Sequence, residues 1–326
     1  MTCYFLGADI GATKTHALIA DETGMVVGLG RGGPGNHETV GYGGMVAALD
    51  AAVSQALAAA GLGREQVAGA GFGVAGYDWP PEREPTLRAI SSLGLQAPAE
   101  AVNDAILGLL AGAAEGWGVA LVSGTGCNCR GWDRSRQREG KVTGHGLRMG
   151  EAAGASELVH KALQAIAQAW TRRGPPTQLT PMFLKHSGSR SVEELLENLT
   201  TDAIEVGASA APLVFQVAAA GDPVARGIVR WAGCELGELA CAVIRQLEFE
   251  RLAFDVVLVG SMFDGGPMLI EPMDQTIHAL APGARLVRLT VPAVIGAVVL
   301  GMEQAGLAAL QRREVLIHSA RKILPR

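Results

Sequence analysis

Two short segments combine glycine and threonine in a pattern that suits phosphate binding. In the first, Asp9 follows an apolar run and precedes Gly11, Thr13 and Thr15. Small residues let backbone N–H groups face a phosphate, and an acidic side chain beside them can hold Mg²⁺ through water. The second segment, Ser123–Gly126, can bind the same phosphates. An ordinary hairpin with an aspartate at its turn remains an alternative for the first segment.

A further carboxylate, Asp104, lies at a predicted strand-to-helix junction. The apolar run Ala99–Asn103 predicts a strand, and a helix is predicted to begin at Asp104. A base placed there can face a cleft, and phosphoryl transfer requires positioning and charge neutralisation more than covalent catalysis. Capping of the helix is an equally simple interpretation of this residue.

Two G-x-G-x-x-G matches, at residues 28–33 and 71–76, lack the context of a dinucleotide site. The first runs into Pro34-Gly35 and the second into a proline-rich loop, so neither opens a helix. The dinucleotide fingerprint needs the phosphate at a helix N-terminus. We therefore do not assign these glycines to nucleotide binding.

Strands alternate with helices along the chain, which predicts an α/β fold with a mostly parallel sheet. The first-half strands are predicted at Tyr4–Ile10, Thr15–Ala20, Val26–Gly30, Val67–Ala75 and Ala99–Asn103, with a helix at Tyr42–Ala60. Strands are also predicted at Trp117–Val122 and Val256–Gly260, and a helix after the cap Asp222-Pro223. Residues 151–247 are predicted to be mainly helical.

The two halves share a spacing that indicates an internal duplication. In each half a strand enters a Gly/Thr loop, returns as a second strand and turns through polar residues. Gly11 precedes Gly24 by 13 residues, and Gly126 precedes Gly140 by 14. Two unrelated hairpins remain the alternative to one duplicated unit.

Composition excludes several classes of protein. The 326 residues are 48% apolar, and the net charge is 27 − 32 = −5, so the chain lacks the basic field that binds nucleic acid or anionic lipid. The apolar stretches at 256–260 and 291–302 are shorter than the roughly 20 residues of a membrane span. We expect a cytoplasmic protein, since the N-terminus does not resemble a signal peptide and five cysteines form no disulfide framework.

Several motifs occur in the order found in the actin-like sugar kinase superfamily. The segments Asp9–Thr15, Ser123–Gly126 and Val257–Ser261 resemble its two phosphate loops and its adenosine loop. More narrowly, the chain resembles the N-acetylglucosamine kinase and BadF/BadG/BcrA/BcrD ATPase family. The segments that carry this resemblance are Gly35-Asn36-His37, Asn103-Asp104-Ala105, Ser123–Cys129 and Gly144–Gly150.

The resemblance implies two ribonuclease-H-like (actin-like ATPase) α/β domains hinged around a cleft. The first would span residues 1–113, and the second, with a helical insertion, residues 114–305. Residues 306–326 would form a helix that packs back on the N-terminal domain. A homodimer is also expected.

The resemblance also implies an ATP-dependent kinase that phosphorylates an amino sugar, N-acetylglucosamine or glucosamine, at the 6-hydroxyl. Asp104 would be the general base, and Asp9 would hold Mg²⁺ through water. ATP would be bound by Asp9, Gly11, Thr13, Lys14, Thr15, Ser123, Gly124, Thr125, Gly126, Gly260 and Ser261. The sugar would contact Asn36, Asp104, Gly144, His145 and Glu151.

The chain departs from the family pattern after the second phosphate loop. Relatives usually have Gly-Asp-Glu-Gly-Ser, where this chain has Gly150-Glu151-Ala152-Ala153-Gly154. The first acid is one methylene longer, and the second is lost at Ala152. The sugar is therefore left open between N-acetylglucosamine, glucosamine and another hexose. His145, which replaces an aromatic residue, either donates to a sugar hydroxyl or caps a loop.

Two other functions remain open at this stage. Some BadF-like proteins are ATPases that activate a partner enzyme through a [4Fe–4S] cluster shared across a dimer, and Cys127-Asn128-Cys129 invites that comparison. These cysteines lie within the proposed phosphate loop, whereas Cys234 and Cys241 suit helix packing. A sugar-binding sensor that has lost turnover is the second alternative. The related repressor/open-reading-frame/kinase group typically has a Cys-rich zinc motif, which this sequence lacks.

Overall fold

The computed structural model describes residues 2–323 and divides them into two compact units. Unit 1 extends to Ala120 and also contains Gly131–Arg138 and the chain from Val287 onward. Unit 2 consists of Leu121–Arg130 and Glu139–Leu286. The domain ranges given above stay a prediction.

The described residues contain two five-stranded sheets and helices between the strands. The strands are β1 (Tyr4–Ile10), β2 (Thr15–Asp21), β3 (Val26–Gly32), β4 (Val67–Val74), β5 (Ala99–Asn103), β6 (Gly118–Ser123), β7 (Cys127–Trp132), β8 (Glu139–Lys141), β9 (Phe254–Val259) and β10 (Ala284–Arg288). The helices are α1 (His37–Ala60), α2 (Arg83–Ser91), α3 (Asp104–Gly112), α4 (Ala155–Trp170), α5 (Leu179–Ser187), α6 (Val192–Thr200), α7 (Ala211–Ala219), α8 (Pro223–Leu247), α9 (Pro267–Leu280), α10 (Val294–Gln304) and α11 (Arg313–Ala320).

The two sheets share one strand order. The first is ordered β3-β2-β1-β4-β5, and the second, taken from its other edge, is ordered β8-β7-β6-β9-β10. Each sheet therefore starts from three sequential strands and adds two later ones beside the first. This agreement supports the duplication of one supersecondary unit, and the prediction of an α/β fold is confirmed. The expectation of a mostly parallel sheet is wrong for unit 1, where β1–β2 and β2–β3 pair antiparallel and β1–β4 and β4–β5 pair parallel. The connections after β1 and β2 are short turns, which join antiparallel neighbours.

Helices cover both faces of the first sheet. The apolar residues Leu6, Ala8 and Ile10 of β1 share a buried cluster with Met45 and Leu49 of α1. The intervening Gly7 faces α10 on the opposite side, where an added Cβ would lie 2.3 Å from the Val298 nitrogen. Side chains alternate between faces along a strand, so the sheet is buried on both sides.

Glycines from each of the two G-x-G-x-x-G matches allow this close packing of helices on the sheet. A Cβ added at Gly30 of β3 would lie 1.8 Å from the Ala52 carbonyl oxygen of α1. One added at Gly71 of β4 would lie 2.3 Å from the Ala297 oxygen of α10. The pattern thus reflects contact between helix and sheet backbones.

Helix α1 contains a break that accounts for its predicted start at Tyr42. Gly41 has φ 69° and ψ 169° within the helix, so the regular part begins one residue later. This helix is long and apolar enough to cross a membrane by length and composition alone. Its buried residues, including Leu49 and Val53, instead belong to the core that it forms with the first sheet.

The C-terminal helix packs on the turn between β2 and β3. The Ser319 hydroxyl accepts a hydrogen bond from the Val26 nitrogen and donates to the Gly24 oxygen, both at 3.1 Å. Arg312 donates to the Glu22 carbonyl oxygen at 2.6 Å. These contacts lie within unit 1.

Candidate active site

Strand register brings the predicted site residues of unit 1 to one edge of its sheet. Thr15 pairs with Gly32 and with Ile10, and Ile10 pairs with Val74, which pairs with Asn103. All five strands therefore begin or end along one row. Asp9 lies in β1 directly before this row, and the segments that leave the row carry Gly11–Lys14, Asn36 and Asp104. The structure therefore gathers these residues at one edge.

The first glycine-threonine loop is a tight turn that is held by hydrogen bonds to the segment after β3. The Gly11 nitrogen donates to the Lys14 oxygen at 3.0 Å, and the Gly35 nitrogen donates to the Gly11 oxygen at the same distance. Thr15 is fully buried, and its hydroxyl donates to the Gly33 oxygen at 2.9 Å. Thr13 and Lys14 are exposed. Thr15 therefore supports the loop, and Thr13 and Lys14 present polar groups to solvent.

Asp9 and Asp104 lie close enough to interact electrostatically. Burial, followed by the negative charge of Asp104, raises the pKa of Asp9 to about 7, while the Lys14 ammonium acts in the opposite direction. A divalent cation would relieve both the desolvation of Asp9 and its repulsion from Asp104. Carboxylate oxygens are ligands that Mg²⁺ accepts, so these residues fit the ion that the resemblance implies.

Asp104 occupies the first position of α3, as the sequence predicts. Asn103 has extended backbone angles and caps the helix, its side-chain oxygen accepting from the Ala105 nitrogen at 3.0 Å. The capping role is thus filled by Asn103, and the partly buried Asp104 carboxylate is not required for it. The general-base role of Asp104 stays a prediction.

Asn36 lies where the segment after β3 enters α1. Its side-chain oxygen accepts from the Glu38 nitrogen at 2.9 Å and so caps the helix. A Cβ added at Gly76, which follows β4, would lie 2.5 Å from that oxygen. Gly76 has φ 79° and lies against Asn36, so a side chain at residue 76 would displace the predicted sugar contact.

In unit 2, the second loop uses its carbonyl groups to hold helix α4. The Ala155 nitrogen donates to the Gly124 oxygen at 2.8 Å, and the Ser156 nitrogen donates to the Thr125 oxygen at 2.9 Å. Ser123 is fully buried and donates to the Ala153 oxygen at 2.7 Å. With these carbonyl groups engaged, the exposed Thr125 and Gly126 can direct hydroxyl and N–H groups outward.

The predicted adenosine loop lies against this phosphate loop. Gly260 follows β9 with φ 110°, and an added Cβ there would lie 2.2 Å from the Ser123 carbonyl oxygen. Only glycine fits such a conformation at such a distance. The exposed Ser261 begins a short 3₁₀ helix, Ser261–Gly265. Within unit 2 the structure therefore brings residues 123–126 and 260–261 together.

Glu151 is engaged by the loop that precedes it. One carboxylate oxygen accepts from the Thr143 nitrogen at 2.6 Å, and the other accepts from the Thr143 hydroxyl at 2.8 Å and the Gly144 nitrogen at 2.6 Å. Glu151 is 9% exposed. His145 follows Gly144 and is partly buried. The segment 143–145 is therefore shaped by the Glu151 carboxylate.

Cys127 and Cys129 are buried packing residues in strand β7. Burial raises the pKa of Cys127 to about 11, and burial also raises the pKa of Cys129 well above its ordinary value. The Cys127 sulfur accepts a hydrogen bond from the Ala153 nitrogen. A cluster shared between subunits needs accessible thiolates, so the state of these thiols favours a structural role.

Sequence reasoning did not identify Asp78, a buried carboxylate in the proline-rich loop after β4. Its side-chain oxygen accepts from the Asn103 amide nitrogen at 3.1 Å. The loop has no hydrophobic periodicity from which the position of Asp78 could be predicted. The pairing of β4 with β5 brings this loop, and with it Asp78, beside Asn103. The available sequence signal was Asn103, a polar residue at the end of an apolar run. A buried amide side chain needs hydrogen-bond partners.

Comparison with known proteins places the chain among sugar kinases of similar length. It is 24% identical over 307 residues to the N-acetylmuramic acid/N-acetylglucosamine kinase of Clostridium acetobutylicum, covering 92% of this chain and 99% of that one. It is 24% identical over 315 residues to the N-acetyl-D-glucosamine kinase of Dictyostelium discoideum, covering 91% and 97%. A proposed N-acetylglucosamine kinase structure from Chromobacterium violaceum matches with a TM-score of 0.69 and 23% identity over 91% of this chain and 98% of that one.

The likeness to this structure confirms the fold that the motifs imply, an α/β fold with two sheet-containing domains. The model of the BadF/BadG/BcrA/BcrD ATPase family matches residues 6–301, which include the Asp9 loop, Asp104 and the Gly260 loop. A match over this range covers most of the chain. The chain therefore belongs to the BadF/BadG/BcrA/BcrD ATPase family, as its motifs predict.

Proposed function

We propose that the protein is an ATP-dependent kinase that phosphorylates an amino sugar, N-acetylglucosamine or glucosamine, at the 6-hydroxyl. The observation that carries the proposal is the pair of carboxylates at one sheet edge, Asp9 beside Asp104. Family membership supports the use of ATP, and the names of two relatives support the sugar class. A homodimer in the cytoplasm is part of the same proposal.

Asp104 would act as the general base. Its carboxylate would accept the proton of the sugar hydroxyl as that oxygen bonds to the γ-phosphorus of ATP, and the bond to the β–γ bridging oxygen would break. Asp104 suits this role because it begins α3 at the sheet edge where Asp9 lies, while Asn103 fills the helix cap.

The remaining residues would orient the two substrates. In unit 1, Gly11, Thr13 and Lys14 would contact phosphate oxygens, with Thr15 bracing their loop. When bound, Mg²⁺ would neutralise phosphate charge, with Asp9 holding it through water. In unit 2, Ser123–Gly126 would bind phosphates, and Gly260 with Ser261 would contact the adenosine.

Asn36 and Asp104 of unit 1, and Gly144, His145 and Glu151 of unit 2, would contact the sugar. The Glu151 carboxylate already accepts three hydrogen bonds from residues 143–144. We infer that its effect on the sugar passes largely through the backbone of that turn. The segment would therefore shape the sugar site through a loop as well as through a side chain.

The test is ADP formation with Mg·ATP and a panel of sugars. The panel contains N-acetylglucosamine, glucosamine, N-acetylmannosamine, glucose, muramic acid derivatives and a sample without sugar. One amino sugar should stimulate turnover, and NMR of the product should locate the phosphate on the 6-oxygen. Sugar-independent hydrolysis would favour an ATPase activator, and binding without turnover would favour a sensor.

The variant Asp104→Asn tests the role of the base. Asparagine has nearly the same shape as aspartate but cannot act as the base. ATP binding should therefore match the wild type, while turnover falls by about 10²-fold or more. Undiminished turnover in this variant would refute the assignment. Thr39→Val, an exposed change on α1 near the same sheet edge, is the control for nonspecific damage.

A further inference from the structure

The loop after β4 is joined to the start of α3 by a side-chain hydrogen bond that determines how Asn103 lies. Asn103 is 3% exposed. Its amide nitrogen donates to the Tyr77 oxygen and to an Asp78 carboxylate oxygen, each at 3.1 Å. Its amide oxygen accepts from the Ala105 nitrogen at 3.0 Å. Each end of the amide therefore meets groups of the opposite hydrogen-bonding type, and only one orientation satisfies them all.

Asp78 is itself held in place by a second carboxylate. One oxygen of Glu82 accepts from the Asp78 nitrogen at 2.7 Å and from the Trp79 nitrogen at 2.8 Å. Its other oxygen lies 3.8 Å from the His37 ring at the start of α1. The carboxylate that orients Asn103 is thus fixed by its own backbone as well as by its partner.

We propose that Asp78 is a positioning residue for Asp104 and acts through Asn103. Asp104 follows Asn103 directly, so the orientation of the cap sets the direction in which α3 starts and hence the direction of the Asp104 carboxylate. The inference rests on the proposed kinase function. Misplacement of a reacting group by about 1 Å costs about 10²-fold in rate, which is the scale expected when this link is broken.

The proposal can be tested by exchanging the amide donor at residue 103 with the carboxylate acceptor at residue 78. Asn103→Asp keeps an oxygen for the Ala105 nitrogen but places a carboxylate against the Tyr77 oxygen and Asp78, where an amide nitrogen had donated. We expect kcat to fall by about 10²-fold with KM for ATP changed less than about threefold. In Asp78→Asn with Asn103→Asp, the new amide at position 78 donates to the new carboxylate, and kcat should recover by about 10-fold or more.

Asp78→Asn alone retains an oxygen for the Asn103 amide and should lose less than the Asn103→Asp variant. The matched control is Asp21→Asn, which alters a carboxylate that bonds three groups of the β2–β3 turn in the same unit. It should reduce stability without changing kcat. If Asn103→Asp does not fold, Asp78→Ala removes the acceptor while leaving the Tyr77 carbonyl, and it should give the same loss of kcat.

Three results overturn the inference. They are wild-type kcat in Asn103→Asp, no recovery in the double variant, and loss of ATP affinity equal to the loss of kcat. These results are distinct from failure of the proposed function, which would show as an absence of sugar-stimulated ADP formation in the wild type. That outcome would remove the role of Asp104 and the positioning role together.

Discussion

Replacing Asp9 by asparagine should stabilise the ligand-free protein at pH 8 and have little effect at pH 4. The pKa of Asp9 rises from 3.8 to about 7 on folding, mainly because of burial and then because of Asp104. Between these values the folded state holds a proton that the unfolded state has lost. The free energy of unfolding therefore falls as the pH rises through this window, and the loss is complete above the folded pKa.

The size of the effect follows from the two pKa values. One unit of pKa is about 1.4 kcal/mol, so the full penalty for charging Asp9 is at most about 4 kcal/mol at pH 8 and about 0.5 kcal/mol at pH 4. Asparagine has nearly the same shape and carries no charge, so it removes this penalty. Asp104→Asn removes the repulsion and leaves the burial, so its stabilisation should be smaller.

Urea denaturation of the wild type, Asp9→Asn and Asp104→Asn at pH 4 and pH 8 measures these differences. We take the free energy of unfolding of Asp9→Asn minus that of the wild type at each pH. This difference should be about 1–4 kcal/mol more favourable at pH 8 than at pH 4. An equal difference at both pH values would show that folding does not raise the pKa of Asp9. The electrostatic argument for a cation at this edge would then be wrong.

Two further predictions concern packing and thiol chemistry. Gly30→Ala should destabilise the protein by about 1–3 kcal/mol in thermal unfolding, since the new Cβ would lie 1.8 Å from the Ala52 oxygen. The matched control Gly33→Ala, in the same motif, meets nothing within 4 Å and should leave the melting temperature nearly unchanged; equal effects would refute the packing argument. At pH 7.5 a thiol reagent should label the exposed Cys3 quickly and spare Cys127, whose pKa is about 11. Rapid labelling of Cys127 in the folded protein would contradict its buried state.

Local sequence signals predicted much of unit 1 because its elements have strong boundaries. The strands β1 and β5 occupy the predicted residues, and α3 begins at Asp104 because Asn103 is a strong cap. The parallel pairing of β1, β4 and β5 aligns the carboxyl ends of these strands and brings Asp9 and Asp104 to one edge. The electrostatic coupling of the two carboxylates depends on their separation, which the sequence does not specify.

Long-range packing was harder to predict than local structure. Helix α10 lies within the range 114–305 that the sequence analysis assigned to a second domain, and it packs on the sheet of unit 1. The apolar composition of α10 indicates that the helix is buried, but it does not indicate on which of the two sheets the helix packs. Asp78 was missed for the same reason, since its hydrogen-bond partner Asn103 lies 25 residues away, at the end of β5.

The altered segment after the second phosphate loop shows why a residue type alone is a poor guide to substrate. The longer side chain of Glu151 reaches back to Thr143 and Gly144, where its two oxygens accept three hydrogen bonds. Both oxygens are used by the protein, and the lost second acid is replaced by Ala152, which is 4% exposed. A carboxylate at residue 152 would need a buried partner, because an unpaired buried charge is strongly destabilising. The sugar preference should therefore depend on the backbone of residues 143–145, which Glu151 holds, more than on the number of acids in the segment.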